Sequence, residues 1–363
     1  MKHIIILIAS FICLPAMSAV WQDSKTLVNY EYDEGSGEAT VVRSENVYGD
    51  VRILPSFSVG GKDYTVTGIG GEAFWICTHL TGVSIPEGVT AIGGGAFMYC
   101  SNLTSLTLPK SLTTIGDMAF YYCSGLTSVT IPENVTSIGS QAFHGCNLTS
   151  VTFLAGNGIV GRLAFADCSS LASVNIADIG AWCTMSFSSM PHESGSAHAF
   201  DCSNPLEIAG HLYMDGREVE DIVIPDGVTQ IGSYAFINCK GLKSVTIPES
   251  VTKIGAGAFR SASLVSVTSY IREPMDLDYY AFTPAPEATL FVPAGTKQKY
   301  EALFNWANGF AAIVEMGGEQ GVEDISRDTK DNGCCYDLQG RRVSVSSVPR
   351  KGVYIQGGRK YVK

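Results

Sequence analysis

Residues 85–100 read IPEGVTAIGGGAFMYC, and residues 131–146 read IPENVTSIGSQAFHGC, so one pattern returns along the chain. Four copies of the pattern place a phenylalanine directly after an alanine and a cysteine three residues later, at Phe74, Phe97, Phe120 and Phe143. These positions are 23 residues apart. A fixed period of this length is typical of repeat proteins, whose units stack to share a core. We therefore predict a solenoid with its function on the surface rather than in one pocket.

The repeat continues beyond these four copies, with a degenerate turn at Phe282, which gives eight predicted turns. The predicted buried column comprises Phe74, Phe97, Phe120, Phe143, Phe165, Phe236 and Phe259. A strand of the form L-x-x-V-x-I follows each cysteine, and its alternation predicts that Val129 and Ile131 face inward. A proline ends the strand, and we expect the glycine after the next isoleucine, such as Gly93, to permit a backbone turn.

One such strand in about 23 residues is the layout of a leucine-rich repeat. We predict a mostly β fold with short helical or 3-10 turns: a curved solenoid whose parallel sheet lines the concave side, with flanking caps and a small C-terminal β-module. The predicted divisions are a signal peptide (1–19), an N-terminal cap (20–68), repeats (69–176), an irregular insertion (177–218), repeats with a C-terminal cap (219–316), a linker (317–332) and the β-module (333–363).

The chain begins with a short basic start, an apolar stretch and small residues suited to cleavage, which is the pattern of a secretory signal peptide. A lipid anchor at Cys13 is the alternative. We find no other apolar run long enough to span a bilayer, so we expect a protein that is secreted or held at the outer cell surface. With 24 basic and 35 acidic residues the formal charge is −11, which disfavours a partner such as nucleic acid.

No catalytic motif or phosphate-binding loop is recognisable, so we predict neither an enzyme nor a cofactor. His192 and His198 could hold a metal with Glu193, but neutral surface histidines also fit this spacing, and we predict no metal site. The cysteines at the repeat position predict an inward column of small thiols, although neighbouring turns lie within reach of a disulfide. Outside this column, Cys183 and Cys202 form the candidate disulfide.

Two surfaces are candidates for ligand binding. The insertion carries Trp182, His192 and His198, which could contact a ligand, or else Trp182 and Phe187 pack back over the solenoid as a structural bulge. The outward positions of the strands carry small polar residues, namely Ser105, Thr107, Ser128, Thr130, Ser150, Thr152, Ser173, Asn175, Ser244, Thr246, Ser266 and Thr268. They could keep the strands soluble, form a polar groove for a glycan or an extended peptide, or bind ice if the array were flat.

The Pro, Ile-Gly, Ala-Phe and Cys positions of residues 64–293 together resemble the BspA-like (treponemal-type) leucine-rich repeats of bacterial surface proteins. This resemblance implies adhesion to a host matrix protein, a glycan or other cells. A structural surface-layer protein without a specific ligand is the alternative. The ending, with YDLQGRRV, KGVYI and GRKYVK, is similar to C-terminal modules sorted by type IX secretion, which implies the sorting machinery as a further partner.

Overall fold

The computed structural model describes residues 18–154, 156, 158–188, 203–278, 280–282 and 285–317, and the backbone of 335–337, 342–343, 353–356 and 359–362. Residues 1–17 of the predicted signal peptide, most of the linker and part of the insertion lie outside these residues, and the last two residues of the predicted signal peptide belong to β1. The first six strands are β1 (Ser18–Gln22), β2 (Asn29–Asp33), β3 (Glu38–Val42), β4 (Gly49–Arg52), β5 (Ser56–Val59) and β6 (Lys62–Ile69).

The repeats then alternate a longer strand with a strand of two residues. These strands are β7 (Leu80–Ser84), β8 (Ala91–Ile92), β9 (Ser105–Thr107), β10 (Thr114–Ile115), β11 (Ser128–Ile131), β12 (Ser137–Ile138), β13 (Ser150–Phe153), β14 (Ile159–Val160) and β15 (Ser173–Ile176). The insertion adds α1 (Ile179–Thr184), β16 (Ser186–Phe187), α2 (Leu206–Ala209), β17 (Leu212–Met214) and β18 (Arg217–Glu218).

The second block of repeats contains β19 (Asp221–Val223), β20 (Gln230–Ile231), β21 (Ser244–Ile247), β22 (Lys253–Ile254) and β23 (Ser266–Ser269). It ends in β24 (Ala285–Val292), α3 (Lys297–Glu301), α4 (Phe304–Ala307) and β25 (Phe310–Glu315). The last strands are β26 (Cys335–Asp337), β27 (Arg342–Val343), β28 (Val353–Gln356) and β29 (Arg359–Val362), and they pair antiparallel in the order β27-β26-β28-β29.

Two sets of parallel strands run along the solenoid. The two-residue strands β8, β10, β12, β14 and β16 follow β6 in one parallel sheet, which β3 extends in parallel and β2 and β1 extend antiparallel at the N-terminal end. The longer strands form three sheets, β4-β7-β9, β11-β13-β15-β17-β18 and β19-β21-β23-β24-β25. Valine and isoleucine of the longer strands are buried, as predicted: Val129 is 5% exposed and Ile131 is fully buried.

The solenoid has about 11 turns, so the predicted count of eight is wrong. The additional turns lie in the caps and in the insertion. In the caps β4 pairs in parallel with β7, and β24 and β25 continue the ladder after β23; in the insertion β16 and β17 pair in parallel with β14 and β15. These segments lack the regular Ala-Phe and Cys spacing that the sequence count depended on. The backbone follows the same spiral without the repeat signature.

The phenylalanines form two continuous stacks inside the solenoid. Phe97 and Phe120 have ring centroids 5.1 Å apart at an interplanar angle of 2°, and both rings are fully buried. The first stack runs from Phe74 to Phe165 and the second from Phe236 to Phe282. The predicted phenylalanines are buried and form two stacks rather than one column, and Phe282, which is degenerate in sequence, stacks as closely as the others.

The structure corrects the role of the glycine that follows the short strand. Gly93 does not have a positive φ. A Cβ on Gly93 would lie 2.5 Å from the amide nitrogen of Gly71, so the residue is required by the close approach of two neighbouring turns. Within the repeats, positive φ angles occur instead at two other positions. Two residues before the phenylalanine they occur at Glu72, Gly95, Met118, Gln141, Leu163, Tyr234, Gly257 and Tyr280. Two residues after it they occur at Ile76, Tyr99, Tyr122, Gly145, Asp167, Asn238 and Ser261.

Aromatic clusters cover both ends of the stack. At the N-terminal end Trp21 stacks on Phe57 with centroids 4.5 Å apart. At the C-terminal end Phe282 contacts Trp306 at 5.6 Å, and the indole nitrogen of Trp306 donates a hydrogen bond to the carbonyl of Met275. These clusters shield the apolar ends of the solenoid, as end repeats must.

Candidate functional site

The outward residues of the longer strands are aligned from turn to turn. Ser128, Ser150 and Ser173 are direct partners across three strands. Beside this column, Thr130 pairs with Thr152, and Thr152 pairs with Asn175. The alternation that buries valine and isoleucine therefore produces two parallel columns of small polar side chains, which we call the hydroxyl face.

Both columns end at the hairpin of β17 and β18. Tyr213 pairs with Asn175 and continues the threonine column. His211 follows Ser173 in the other column, and its carbonyl accepts a hydrogen bond from the amide of Val174 at 3.0 Å. The Asp215-Gly216 turn that the sequence predicts is present, because Met214 pairs antiparallel with Arg217. The hairpin thus places a phenol and an imidazole at the end of the hydroxyl face.

The imidazole is held in place by an acidic neighbour on the same hairpin. The Nδ1 atom of His211 lies 2.7 Å from a carboxylate oxygen of Glu218, and both side chains are partly exposed. Leu212 between His211 and Tyr213 is fully buried, which fixes the strand against the core. Sequence reasoning did not select His211 or Tyr213 as site residues; the signal was the turn at Asp215 together with the register of the preceding repeats.

Exposure differs along the predicted polar positions. Ser105, Thr107, Ser128 and Thr130 are exposed, and Ser150, Thr152, Ser173, Asn175, Ser244 and Thr246 are partly exposed. Farther on, Ser266 and Thr268 are only 4% and 2% exposed. Ser244 lies in another sheet, where its hydroxyl donates to Asp221 at 2.6 Å. Within one sheet the open part of the face therefore runs from β11 to β15 and ends at the hairpin, while Ser105 and Thr107 on β9 belong to the sheet of β4 and β7.

The structure corrects the ligand role considered for Trp182. This side chain is 1% exposed and its ring packs edge-on against Phe153, with Phe187 on another side. An aromatic side chain buried in this way cannot contact a surface ligand. The alternative in which Trp182 and Phe187 pack back over the solenoid is the arrangement observed. His192 and His198 lie outside the described residues.

Trp182 also replaces a backbone hydrogen bond that the insertion removes. Within the repeats the amide of one phenylalanine donates to the carbonyl of the alanine in the next turn, as Phe97 does to Ala119 at 2.7 Å. At the insertion, the carbonyl of Ala235 accepts instead from the indole nitrogen of Trp182 at 2.8 Å and from the Asn204 amide at 3.1 Å. The side chains of Trp182 and Asn204 therefore supply the hydrogen-bond donors for the carbonyl of Ala235, in the turn that follows the insertion.

The cysteine column is confirmed as buried free thiols. All seven cysteines described with side chains are free and buried, and Cys183 is one of them. Cys183 lies on α1 with its side chain in the core, while Cys202, its partner in the candidate disulfide, is outside the described residues. Burial raises the pKa of Cys183 to about 12, so this thiol stays protonated.

In the part of the chain that the structure describes, no group of His, Cys, Asp and Glu side chains is arranged to hold a metal ion. No helix of the described residues is long and apolar enough to cross a membrane.

The comparisons with known proteins agree with this geometry. Residues 57–172 and 207–298 match the BspA type leucine rich repeat region, in six copies. The chain belongs to this family of leucine-rich-repeat proteins. No curated protein matches the chain.

Several solved structures of bacterial leucine-rich-repeat proteins are similar to the chain. A leucine rich repeat protein of T. pallidum is 19% identical, with a TM-score of 0.40, and the match covers 78% of this chain and 96% of that one. A leucine-rich repeat protein from Bacteroides capillosus is 32% identical over 37% of this chain and 97% of its own, with a TM-score of 0.34. A leucine rich cell surface protein from Faecalibacterium prausnitzii is 22% identical, with a TM-score of 0.33 and coverage of 86% and 98%.

Proposed function

We propose that the protein is a secreted or surface-displayed binding module that attaches to an extracellular ligand through the hydroxyl face. The observation that carries this proposal is the register: two columns of small polar side chains end together at His211 and Tyr213. A regular polar surface closed by an aromatic side chain presents directional groups and a flat apolar group within one site. Membership of a family of bacterial surface proteins supports the extracellular setting.

A neutral glycan is the ligand that this surface fits best. Serine and threonine hydroxyls both donate and accept hydrogen bonds, as sugar hydroxyls do. Tyr213 adds an apolar ring with a polar end, a combination suited to the two sides of a sugar. The residues that dominate protein interfaces, tryptophan, tyrosine and arginine, are absent from the columns from Ser105 to Asn175. The formal charge of −11 disfavours sulfated or other anionic glycans.

Binding should be tested with the mature protein on an array of neutral glycans, anionic glycans and extracellular matrix proteins. We expect retention on neutral glycans. Replacement of Tyr213 by alanine should weaken it about tenfold, which corresponds to ~1.4 kcal/mol. Tyr48→Ala is the matched control, because Tyr48 is 69% exposed and lies outside the hydroxyl face. Equal binding by wild type and Tyr213→Ala, or retention on matrix proteins alone, would contradict the glycan assignment.

We also propose that the C-terminal strands direct export. Residues 341–363 carry seven basic residues and no acidic ones, whereas the chain as a whole is acidic. The four antiparallel strands in this part of the chain agree with a separate β-module that sorting machinery could recognise. Truncation at Gly333 should leave the protein in the periplasm. Fractionation and surface protease digestion measure this, and unchanged surface display of the truncated chain would reject the sorting role.

A further inference from the structure

A second surface lies on the turns that join the short strands to the longer ones. In the first five repeats, from Phe74 to Phe165, the two residues that follow the buried phenylalanine are partly or fully exposed. In the second to fourth turns these positions carry Tyr99, Tyr121, Tyr122 and His144, which we call the tyrosine ledge. Tyr99 is 41% exposed and Tyr122 is 40% exposed. Exposed aromatic side chains in one cluster are characteristic of an interaction site.

The rings of the ledge form one continuous group. Tyr99 stacks on Tyr122 at 5.9 Å with an interplanar angle of 19°, and Tyr121 stacks on His144 at 4.9 Å and 8°. Edge contacts connect the two pairs, with Tyr121 and Tyr122 at 4.7 Å. Because each ring touches at least two others, the side chains are held in place before a ligand arrives, which lowers the entropy lost on binding.

The backbone beneath the ledge is adapted to the rings. Gly145 has a φ of 68°, and a Cβ at this position would lie only 2.8 Å from a ring carbon of Tyr122. The ring of Tyr122 therefore occupies the space above Gly145 and lies over the next turn. In the turn after that, the same repeat position is Asp167, whose carboxylate is 3.2 Å from Nε2 of His144 and is largely exposed. The ledge thus ends in an exposed negative charge.

Trp75, one turn before Tyr99, already binds a cationic side chain of the same protein. The guanidinium of Arg43 lies over the ring of Trp75, 4.6 Å from its centroid, and an Nη atom of the same group is 3.5 Å from Glu72. An aromatic ring beside a carboxylate therefore already holds an arginine at the N-terminal end of this surface. Tyr121, Tyr122 and Asp167 repeat that combination farther along the solenoid. A planar guanidinium stacks on aromatic rings and pairs with carboxylates better than an ammonium does.

We propose that the tyrosine ledge is a docking site for an arginine-bearing segment of a partner protein, independent of ligand binding at the hydroxyl face. The guanidinium stacks on Tyr122, whose ring lies over Gly145 in the turn before Asp167, and pairs with Asp167. Burial raises the pKa of Tyr121, and the nearby Tyr122, Tyr99 and Asp167 raise it further, so the phenol remains neutral. The acidic character of the chain attracts a cationic partner before contact.

The test compares two short labelled peptides, one of alternating arginine and glycine and one of alternating lysine and glycine. Binding to the full mature chain is measured by fluorescence anisotropy at physiological salt. We expect the arginine peptide to bind at least about fivefold more tightly, as one cation–π contact predicts. The double variant Tyr99→Ala/Tyr122→Ala should abolish this preference. Tyr122→Phe should retain it because the ring remains, and Tyr48→Ala should behave as wild type.

If the double alanine variant does not fold, judged by circular dichroism, Tyr122→Leu removes the aromatic ring while keeping its bulk and should reduce the preference. Equal affinity for the two peptides would show only general attraction to an acidic protein and would overturn the proposal. The proposal is also overturned if neither peptide binds, or if the Tyr122→Leu variant keeps the full preference. Loss of glycan binding in the Tyr213→Ala variant does not change the peptide measurements, so the two experiments test the two sites separately.

Discussion

The thiol of Cys123 donates a hydrogen bond to the carbonyl oxygen of Phe97, one turn earlier in the solenoid, at 3.0 Å. Cys100, Cys146 and Cys168 make the same contact with the preceding phenylalanine of the stack. The cysteine column and the phenylalanine column are therefore one unit. Cysteine provides a small side chain that fills the turn and a donor for a buried carbonyl.

Cys123→Ala should lower the free energy of unfolding by ~1 to 3 kcal/mol, because the Phe97 carbonyl loses a donor and a small cavity opens. Equilibrium urea denaturation measures the change. Thr127→Ala, at an exposed position of the same turn, serves as the control and should change stability by less than about 0.5 kcal/mol. Indistinguishable values for the two variants would show that the thiol contributes nothing to the stack.

The thiols also predict how stability depends on alkaline pH. Burial raises the pKa of Cys100 from 9.0 to about 12 and has the same effect on Cys168 and Cys239. Between these values the unfolded chain carries thiolates and the folded chain does not, so the unfolded state binds fewer protons. The stabilisation is complete below pH 9 and should be lost as the pH rises toward 12.

Denaturation curves between pH 8 and about 11 test this dependence. The decline with pH should be shallower for Cys100→Ala than for the wild type. Tyr30 and Tyr300 also have a pKa raised to about 12 and remain in both proteins, so only the difference between the curves reports the thiol. Parallel curves would contradict a buried, protonated Cys100.

Residues with a positive φ can be replaced by glycine to raise the stability of the protein. Gln141 has a φ of 56°, a conformation that costs a residue with a Cβ about 1 kcal/mol. Gln141→Gly should therefore stabilise the protein by up to ~1 kcal/mol. Gly95 occupies the same repeat position with a φ of 61°, and Gly95→Ala should destabilise by a similar amount. Thermal melting compares the two, and changes of the same sign would refute the explanation.

The stability of the insertion should depend on the indole nitrogen of Trp182 as well as on its ring. Trp182→Phe keeps an aromatic side chain next to Phe153 but removes the donor to Ala235, and should cost ~1 to 3 kcal/mol. A double-mutant cycle with Asn204→Ala should show coupling, since both side chains donate to the same carbonyl. Strict additivity of the two changes would mean that they act independently.

The repeat register was the part of the fold that the sequence predicted well. The positions of Phe97, Cys100 and Val129 each have a fixed role in the regular repeats, so periodicity alone placed them in the core. The extra turns were missed because the caps and the insertion follow the same spiral without the regular spacing of these residues. The reason that position 93 requires a glycine was also missed. The close approach is between neighbouring turns that are distant in sequence, so no residue pattern around Gly93 indicates it.

The candidate sites were predicted less completely. Alternation along each strand gave the hydroxyl face, but the strand register that places Tyr213 beside Asn175 required the structure. Trp182 was ambiguous because an aromatic residue in an irregular loop suits both a ligand site and a core. The tyrosine ledge was visible only as adjacent tyrosines between Phe120 and Cys123, and their contact with Tyr99 and His144 depends on how the turns stack.

The phenylalanine stack holds the turns of the solenoid together, and Phe120 lies at its centre. Its fully buried ring lies between Phe97 and Phe143, with centroids 5.1 Å from each. Equilibrium denaturation of Phe120→Ala should show a loss of ~3 to 5 kcal/mol from the cavity. The control Phe304→Ala removes a ring that is 78% exposed and should cost less than ~0.5 kcal/mol. If Phe120→Ala were as stable as Phe304→Ala, the shared core of the solenoid would be contradicted.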